Sequence, residues 1–402
     1  MQSRETVKAY NKSLVMEILR NNDVVSRAEL SRNTGLSMPT IMKITDDFIQ
    51  SGLVVEVGKG TSSGGKPPMM MELVPESRLF VGVDISGAMY KCIIMNLKGG
   101  VVFRKNCRRQ KVRKASNDID TIIEFIDTTI RESGVDYACL CGLGIGVPGI
   151  VKTEKGIVAN SIDFGWSNLD LRTPLERYFR MPVYVENSSK VMAIGEQWFG
   201  TGRECDNFAL VTVGRGIGAA FIINGEIYSG FNNQSGEIGH MVIDADGPVC
   251  KCGKRGCLET FASGKVIERK AGELVQSGKA TVLRELCNGN ADEITTDMLF
   301  SAAALGDEPA KTIADVVVDR FAEGQENLIA LLDCQRIVLT GYVVKDNQYL
   351  LTRVRNRVNM TRNLYFEIEK PVEIHLSDMG EEAAVIGAAT IPLRCLVENG
   401  GD

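Results

Sequence analysis

One histidine and three cysteines lie close together between residues 240 and 257 of this 402-residue chain. His240 is followed by Cys250, Cys252 and Cys257, in the pattern Cys-x-Cys-x₄-Cys. One imidazole and three thiolates make up a closed tetrahedral ligand set for structural Zn²⁺, and the glycines and proline between them suit the tight turns of such a loop. We therefore predict a zinc-binding loop. The alternative is four ordinary residues, three reduced cysteines and one hydrogen-bonded histidine.

A carboxylate flanks this loop on each side, with Glu237 before it and Glu259 after it. Metal binding is coupled to the folding of its site, so an ion that orders the loop also fixes two hydrogen-bond acceptors. The loop is therefore expected to hold both carboxylates close to each other.

Length and composition indicate a globular protein of two or three domains. The chain is 44% apolar and 24% charged. It has no apolar run of the ~18 residues that a membrane helix needs, and no apolar signal-peptide core follows its N-terminus. We therefore expect no membrane partner. Its eleven cysteines are an odd number and mostly scattered, which favours reduced thiols in a cytoplasmic protein. The net charge of −5 gives no general attraction to nucleic acid.

Two short helices joined by a glycine turn are predicted near the N-terminus. The first begins at Ser26, where Glu29 completes a capping box, and ends at Gly35. The second runs from Ser37 to about Ser51, is ended by Gly52, and has a buried stripe at spacing i, i+3, i+7, namely Ile41, Ile44 and Phe48. This arrangement is typical of a helix-turn-helix, whose second helix enters the major groove of DNA.

Two apolar segments after the second helix, residues 53–57 and 69–74, predict a β-hairpin, or wing. Its tip is rich in glycine and serine and carries two lysines, which suits a minor groove or a phosphate backbone. We predict that this module, residues 1–75, contacts DNA through Ser37, Thr40, Lys43, Lys59 and Lys66. The alternative is a small helical interaction domain with a flexible hairpin.

From residue 79 onward the pattern changes to buried strands and amphipathic helices. The first cycle consists of predicted strands at 79–84, 89–97, 101–103 and 139–147, with a helix at 117–133. A second cycle has strands at 208–213, 219–223, 226–228 and 336–341, helices between 264 and 332, and a final helix at 381–392. Two such cycles, each with a glycine turn, predict two α/β lobes.

Taken together, these residues resemble the ROK family, which contains sugar-responsive repressors and sugar kinases. The motif from Glu237 to His240, followed by the three cysteines and Glu259, matches the family signature, and the resemblance covers nearly the whole chain. Residues 13–74 resemble the winged helix of the repressor branch, which the kinases lack. The resemblance implies an actin-like, ribonuclease-H-like α/β fold. Its lobe I is expected at residues 78–186 plus 381–396, and its lobe II, with the zinc loop, at residues 187–380.

In this family the ROK domain binds a hexose or pentose. The resemblance implies that the sugar contacts six residues, Glu237, His240, Glu259, Asn187, Gly149 and Asn160, with His240 also binding zinc. Carboxylates and amides make directional hydrogen bonds to hydroxyls. Because a buried polar group left unpaired costs about 1–3 kcal/mol, such a site can discriminate between sugars.

Four features depart from the pattern of the ROK kinases. Their Asn-Asp pair, whose aspartate takes a proton from the sugar, is Asn187-Ser188 here, and a neutral serine is not a base at pH 7. The first phosphate loop, Asp-x-Gly-Gly-Thr in the kinases, is Asp-Ile-Ser-Gly-Ala at residues 84–88. Arg215 replaces a threonine of the second phosphate loop, and Tyr342 replaces a glycine near the adenosine. These losses predict that the chain binds no ATP and is not an enzyme.

We therefore predict a sugar-responsive DNA-binding regulator, a repressor of carbohydrate-utilisation genes that a sugar releases from DNA. Paired half-sites imply a palindromic operator and a homodimer or homotetramer. One alternative is an ATP-dependent sugar kinase with a regulatory DNA-binding head, against which Ser188 and Arg215 argue. The other is a constitutive DNA-binding protein with a purely structural ROK domain, against which Glu237, His240 and Glu259 argue.

Arg215 also raises the hypothesis that a sugar phosphate is the effector. The loss of an acidic residue at position 188 and the gain of an arginine make the former γ-phosphate region more positive, and an arginine pairs well with a phosphate. The alternative is that Arg215 fills the vacant nucleotide space or faces solvent.

Overall fold

The computed structural model describes residues 4–60, 67–85, 89–108, 115–162, 164–362 and 370–401. The chain forms two compact units, one of Met1–Ile194 with Ala384–Asp402 and the other of Gly195–Ala383. It passes between the units after residues 194 and 383, whereas the predicted lobe boundaries follow residues 186 and 380. In the part of the chain that the structure describes, no helix is long and apolar enough to cross a membrane.

The first unit begins with a winged helix-turn-helix. Three helices and a small sheet with the strand order β1-β3-β2 form it. Their bounds are Arg4–Asn21 (α1), Val25–Ser26 (β1), Arg27–Thr34 (α2), Met38–Gln50 (α3), Val54–Lys59 (β2) and Met69–Leu73 (β3). The antiparallel pair of β2 and β3 is the predicted wing. Residues 61–66 of its tip lie outside the described residues.

Local interactions at the helix ends set the turn between α2 and α3. The Ser26 hydroxyl accepts the backbone N–H of Glu29 at 3.3 Å, and the Glu29 carboxylate accepts the backbone N–H of Ser26 at 2.8 Å. The predicted capping box is therefore confirmed. Gly35 ends α2 with a φ of 71°, a backbone conformation that favours glycine. The predicted stripe of Ile41, Ile44 and Phe48 is buried.

Arg27 joins the three parts of this module. Its guanidinium donates to Thr45 and Asp46 of α3, each at 2.9 Å, and to Glu56 of β2 at 3.0 Å. A guanidinium presents five donors in a fixed planar arrangement. One side chain of α2 can therefore hold both the second helix and the wing in place.

The rest of the first unit is built on a five-stranded sheet with the order β6-β5-β4-β7-β11. In it, β4 is antiparallel to β5 and parallel to β7. The bounds are Leu79–Asp84 (β4), Met89–Asn96 (β5), Val101–Arg108 (β6), Leu140–Val147 (β7) and Val183–Asn187 (β11), and the helix Ala115–Ser133 (α4) lies between β6 and β7 in the chain. Residues 86–88, in the predicted first phosphate loop, lie outside the described residues.

The basic segment that starts at Arg104 continues β6 as an edge strand. Its residues alternate between exposed and half-buried as far as Arg108. Charged side chains on an edge strand hinder pairing with another chain. The sequence pattern ends this strand at residue 103, so the observed strand is longer than predicted.

A smaller sheet and two helices follow β7. Its strands are Ile150–Lys152 (β8), Ile157–Ser161 (β9) and Trp166–Asp170 (β10), in the order β10-β9-β8. The helix Arg172–Phe179 (α5) leads into β11, and the helix Ser188–Phe199 (α6) follows β11 directly and carries the chain into the second unit.

The second unit has a five-stranded sheet with the order β14-β13-β12-β15-β16. Its central strand β12 is antiparallel to β13 and parallel to β15, which repeats the arrangement in the first unit. The strands are Phe208–Val213 (β12), Ile217–Ile223 (β13), Glu226–Tyr228 (β14), Arg336–Thr340 (β15) and Glu373–Leu376 (β16). The helices are Glu259–Ala262 (α7), Gly264–Gln276 (α8), Leu283–Leu286 (α9), Thr296–Ala304 (α10), Glu308–Leu332 (α11) and Gln348–Arg362 (α12). The predicted pair of α/β lobes is therefore confirmed.

The last helix, Ala383–Glu398 (α13), packs directly on the sheet of the first unit at glycine positions. A Cβ at Gly82 of β4 would overlap the Val385 carbonyl, and a Cβ at Gly144 of β7 would overlap the Ala388 carbonyl. The helix continues past Pro392, where the prediction ends it, because its packing on the sheet outweighs the low helix propensity of proline.

The segment that follows α13 lies on the winged helix-turn-helix. Gly400 and Gly401 are buried. A Cβ at Gly401 would lie 3.0 Å from the Leu53 side chain and 3.1 Å from that of Met16. The body of α13 thus packs on the sheet, and the segment that follows the helix contacts the N-terminal module.

Gly144→Ala is expected to destabilise the first unit. The added methyl group would overlap the Ala388 carbonyl of α13, and overpacking of this kind costs about 1–3 kcal/mol. Calorimetry should show a fall of about 2–10 °C in the unfolding midpoint. Gly214→Ala is the control, because a Cβ there would lie 3.5 Å from the Tyr342 ring, an ordinary contact. An unchanged midpoint in Gly144→Ala would contradict the packing constraint.

Candidate functional site

The four predicted metal ligands meet in the second unit. The ligand atoms of His240, Cys250, Cys252 and Cys257 all lie within 4.8 Å of one another. The sulfurs of Cys252 and Cys257 are 3.6 Å apart, and the Cys250 sulfur is 3.5 Å from His240 Nδ1. With the usual bond lengths, a tetrahedral zinc needs about 3.8 Å between two sulfurs and about 3.6 Å between sulfur and nitrogen. The four side chains therefore fit a tetrahedral metal ion.

The loop that carries these ligands is tightly turned. Cys250 donates its backbone N–H to the Lys254 carbonyl at 2.8 Å. Gly253 and Gly256 have φ angles of 90° and 67°, and a Cβ at Gly256 would overlap the Asp244 carbonyl. Glycine at these two positions is therefore part of what brings the sulfurs together.

An ion pair fastens the loop to α11. Arg320 of α11 donates to the Asp244 carboxylate at 3.0 Å, and its guanidinium lies 5.3 Å from the centre of the Phe261 ring. Phe261 belongs to α7, the short helix that begins at Glu259. Arg320 thus contacts both the metal loop, through Asp244, and the helix that carries Glu259, through Phe261.

The thiols of the cluster differ in acidity. Burial raises the pKa of Cys257 to about 12. A hydrogen bond from the backbone of Lys254 lowers the pKa of the exposed Cys252 thiol. The thiolate is the form that binds a metal, so metal binding must displace the proton of Cys257, while Cys252 loses its proton more readily.

Glu259 is held by two interactions. One oxygen, Oε2, accepts the backbone N–H of Ile217 at 3.2 Å, and the other, Oε1, pairs with the Lys251 ammonium at 2.8 Å. Only 13% of the Glu259 side chain is exposed. Lys251 lies between two metal ligands in the sequence, so the loop supplies the counter-charge of this carboxylate. Sequence reasoning missed Lys251, although its position between Cys250 and Cys252 was a signal.

The other two predicted sugar ligands of this unit lie on a turn that contacts β13. The backbone N–H of Ala219 in β13 donates to the Gly236 carbonyl at 2.8 Å, and that of His240 donates to the Glu237 carbonyl at 3.0 Å. The Glu237 side chain is exposed. Because Glu259 accepts a hydrogen bond from the first residue of β13, the three predicted ligands all belong to segments that border this strand.

Asn187, Gly149 and Asn160 lie together in the first unit. The Asn187 amide donates to the Gly149 carbonyl at 2.8 Å, and its Oδ1 accepts the backbone N–H of Ser189 at 2.9 Å, where α6 begins. Gly149 has a φ of 110°, and a Cβ there would overlap the Asn160 carbonyl. The structure thus brings the three predicted residues of this unit together, at the end of β11 and beside β9.

Two serine hydroxyls next to these residues are buried and unpaired. Among the described residues, Ser161 and Ser188 are 1% and 8% exposed, and neither hydroxyl has a hydrogen-bond partner. A buried polar group without a partner costs free energy, which makes both hydroxyls candidates for hydrogen bonds to a ligand. Sequence reasoning treated Ser188 only as a lost base, and it missed Ser161, whose burial is visible only in the fold.

Tyr342 and Arg215 lie near each other in the second unit. The Tyr342 ring would lie 3.5 Å from a Cβ at Gly214, and a Cβ at Gly264 would overlap its hydroxyl. Burial, reinforced by the Glu268 carboxylate, raises the pKa of Tyr342 to about 12, and Arg215 opposes this rise. Arg215 is exposed, and its charge opposes the rise that burial causes in the pKa of Glu268. A tyrosine, an arginine and a glutamate thus adjoin the glycines of the predicted second phosphate loop.

Four of the five predicted DNA-contact residues are described, and they lie at the start of α3 and on the wing. Ser37 and Lys43 are exposed, Thr40 is half-buried, and the hydroxyls of Ser37 and Thr40 are 2.8 Å apart. Lys59 is exposed at the end of β2. Lys66 lies outside the described residues.

Comparisons with known proteins cover nearly the whole chain. The ROK family model matches residues 80–394. A xylose repressor from Caldicellulosiruptor bescii is 28% identical over 387 residues, 96% of each chain. A glucokinase from Halalkalibacterium halodurans is 31% identical over 311 residues, 77% of this chain and 93% of that one. A solved ROK family transcriptional regulator, a homologue of the E. coli Mlc protein, is 23% identical and superimposes with a TM-score of 0.82 over 98% of both chains. The predicted fold is therefore confirmed.

Cys252→Ser is expected to lower the metal content of the purified protein. A hydroxyl is a much poorer ligand for such an ion than a thiolate, and because Cys252 is exposed, the change removes little packing. Elemental analysis should find about one ion per unsubstituted chain and clearly less in the variant. Cys139→Ser, outside the cluster, should keep its metal. Equal metal in Cys252→Ser would exclude Cys252 as a ligand.

Proposed function

The chain belongs to the ROK family, and from this we propose that it is a sugar-responsive DNA-binding repressor of carbohydrate-utilisation genes. The observation that carries the proposal is the presence of a winged helix-turn-helix and a ROK domain in one chain. The similarity to a xylose repressor covers 96% of the chain and so includes most of the N-terminal module, whereas the similarity to a glucokinase covers 77%.

The N-terminal module is proposed to bind a palindromic operator as part of a homodimer or homotetramer. The second helix of the helix-turn-helix, α3, is proposed to enter the major groove. The proposed contacts are Ser37, which precedes α3, Thr40 and Lys43 of α3, and Lys59 and Lys66 of the predicted wing. The three interactions of Arg27 support this proposal, because they fix α3 and β2 relative to each other.

The effector is proposed to be a sugar whose hydroxyls are recognised by the six predicted ligands, Glu237, His240, Glu259, Asn187, Gly149 and Asn160. Glu259 supports this role best, because a hydrogen bond to a charged group contributes about 1.5–3 kcal/mol. The charge of Arg215 lowers the pKa of both Glu268 and Tyr342 against the effect of burial. The arginine therefore already has a carboxylate nearby. This favours a neutral sugar over a sugar phosphate.

The metal is proposed to be structural Zn²⁺, held by His240 and the three cysteines. Four protein ligands leave no open position for catalysis. The ion orders the loop that supplies Lys251 to Glu259. Metal loss is therefore expected to weaken sugar binding through this carboxylate.

A sugar kinase with a regulatory head is the alternative, which the 31% identity to a glucokinase favours. In the kinases of the family an aspartate takes the proton of the sugar, and the serine at position 188 has no basicity at pH 7. Arg215 and Tyr342 stand where the family pattern has groups that bind the nucleotide. We therefore propose that the chain has no kinase activity, which a coupled ATP assay with several sugars tests directly.

Sugar binding is proposed to favour a state with low operator affinity. A ligand shifts such an equilibrium only by the difference between its affinities for the two states. The helix α13 begins where the chain re-enters the first unit and ends next to residues that contact the N-terminal module. We therefore expect this helix to carry the effect to the DNA-binding module.

A thermal-unfolding panel of pentoses, hexoses, amino sugars and their phosphates is expected to identify one stabilising class. A ligand at about 100 times its Kd adds about 2.7 kcal/mol, which is readily measured. The stabilising sugar should also release the protein from an operator fragment. Stabilisation by a phosphate ester alone would favour the Arg215 hypothesis, and no stabilisation by any ligand would favour the constitutive alternative.

Glu259→Gln is expected to weaken sugar binding at least about tenfold, because it removes a charge-assisted hydrogen bond. Calorimetric titration with the sugar identified by the panel measures the change. Glu273→Gln, at an exposed position of α8, is the matched control and should bind sugar normally. A normal affinity in Glu259→Gln would remove this residue from the proposed site.

A further inference from the structure

Two methionines are exposed on the N-terminal half of α3, the second helix of the helix-turn-helix. Met38 is 43% exposed and Met42 is 50% exposed, and residues four apart lie next to each other on one side of a helix. We call these two side chains the methionine stripe. A partner that removes this apolar surface from water gains free energy.

The charges near the methionine stripe suit a polyanionic partner. The first six residues of α3 include Lys43 and no acidic residue. The aspartates of α3 lie further along the helix, and both are paired within the module, Asp46 with Arg27 at 2.9 Å and Asp47 with Lys12 at 3.7 Å. Asp46 is four residues after Met42 and so adjoins the stripe, but these two ion pairs balance the negative charge of both aspartates.

The position of the stripe points to the edges of bases. In a helix-turn-helix, the N-terminal residues of the second helix are the ones that contact base edges. The apolar group that the major groove presents is the C5-methyl of thymine. On the basis of the proposed function, we propose that Met38 and Met42 contact thymine methyl groups in each operator half-site. The recognised half-site is therefore one with thymines at defined positions.

A protein partner suits this surface less well. A stable protein interface takes about 800 Å² from each partner, much more than two methionine side chains expose. Ser37, whose hydroxyl is 2.8 Å from that of Thr40, and Lys43 are the sequence neighbours of Met38 and Met42, and their polar groups suit phosphates and base edges. An apolar contact of the size of a methyl group needs only the area that the stripe provides.

The test begins with the selection of duplexes from a random library by the full-length protein. Each thymine of a selected duplex is then replaced by uracil, which removes one methyl group and keeps every hydrogen bond of the base pair. At one or two thymines of each half-site, uracil should weaken binding about fourfold, the effect of losing one methyl-sized apolar contact. Anisotropy titrations at one fixed salt concentration measure the change.

Variants connect each thymine to a side chain. Met38→Ala and Met42→Ala should each still bind the selected duplex but no longer distinguish thymine from uracil at one position. Met42→Leu keeps an apolar contact and should retain the distinction. Met360→Ala is the matched control, since Met360 lies on α12 of the second unit and is 72% exposed; it should behave like the unsubstituted protein.

The outcomes separate this inference from the proposed function. Tight binding to a selected duplex that is insensitive to uracil at every position would overturn the methyl contacts and leave DNA binding intact. Uracil effects that persist in both alanine variants would also overturn them. If no duplex is enriched, the proposed DNA binding is wrong, and the inference falls with it. If Met42→Ala changes the oligomeric state and leaves the thymine preference unchanged, Met42 contacts another copy of the chain, and its proposed thymine contact is wrong.

Discussion

The close contact between α13 and the sheet of the first unit is the constraint on which much of the fold depends. At Gly82 and Gly144 a methyl group would overlap backbone atoms of the helix, so only glycine allows this distance. The same helix leads to Gly401, which contacts residues of the N-terminal module. Packed interiors transmit strain, and under the proposed function this packing is what lets α13 couple sugar binding to the helix-turn-helix.

In the second unit, the metal loop constrains the position of the Glu259 carboxylate. Its sulfur ligands bring Lys251 to the carboxylate of Glu259, and the Ile217 backbone fixes the other oxygen of that carboxylate. Arg320 holds the loop and the Phe261 ring from one side chain. The position of Glu259, a proposed sugar ligand, therefore depends on the loop that carries the four predicted metal ligands.

Sequence patterns predicted the features whose causes are local. The capping box at Ser26 depends on a partner three residues away, and the four predicted metal ligands lie in one short segment. Both features can therefore be predicted from the sequence without knowledge of the fold. The sequence position of Lys251 places it in the metal loop, but its partner Glu259 and the unpaired hydroxyl of Ser161 cannot be predicted in this way, because each depends on burial or on an orientation that only the folded chain sets. The length of α13 escaped prediction for the same reason, since packing on a sheet overrides the signal of Pro392.

Sugar recognition and phosphoryl transfer use different groups, which is why one fold can serve a regulator or a kinase. Recognition needs fixed acceptors and donors such as Glu259 and Asn187, which are present here and anchored by hydrogen bonds to the backbone. Transfer needs in addition a base and a nucleotide site. A hydroxyl at Ser188 can still bond to a sugar but cannot take its proton at pH 7. The Tyr342 ring lies against Gly214. Under the proposed function, in which the chain has no kinase activity, the binding energy of a sugar is available to shift a conformational equilibrium.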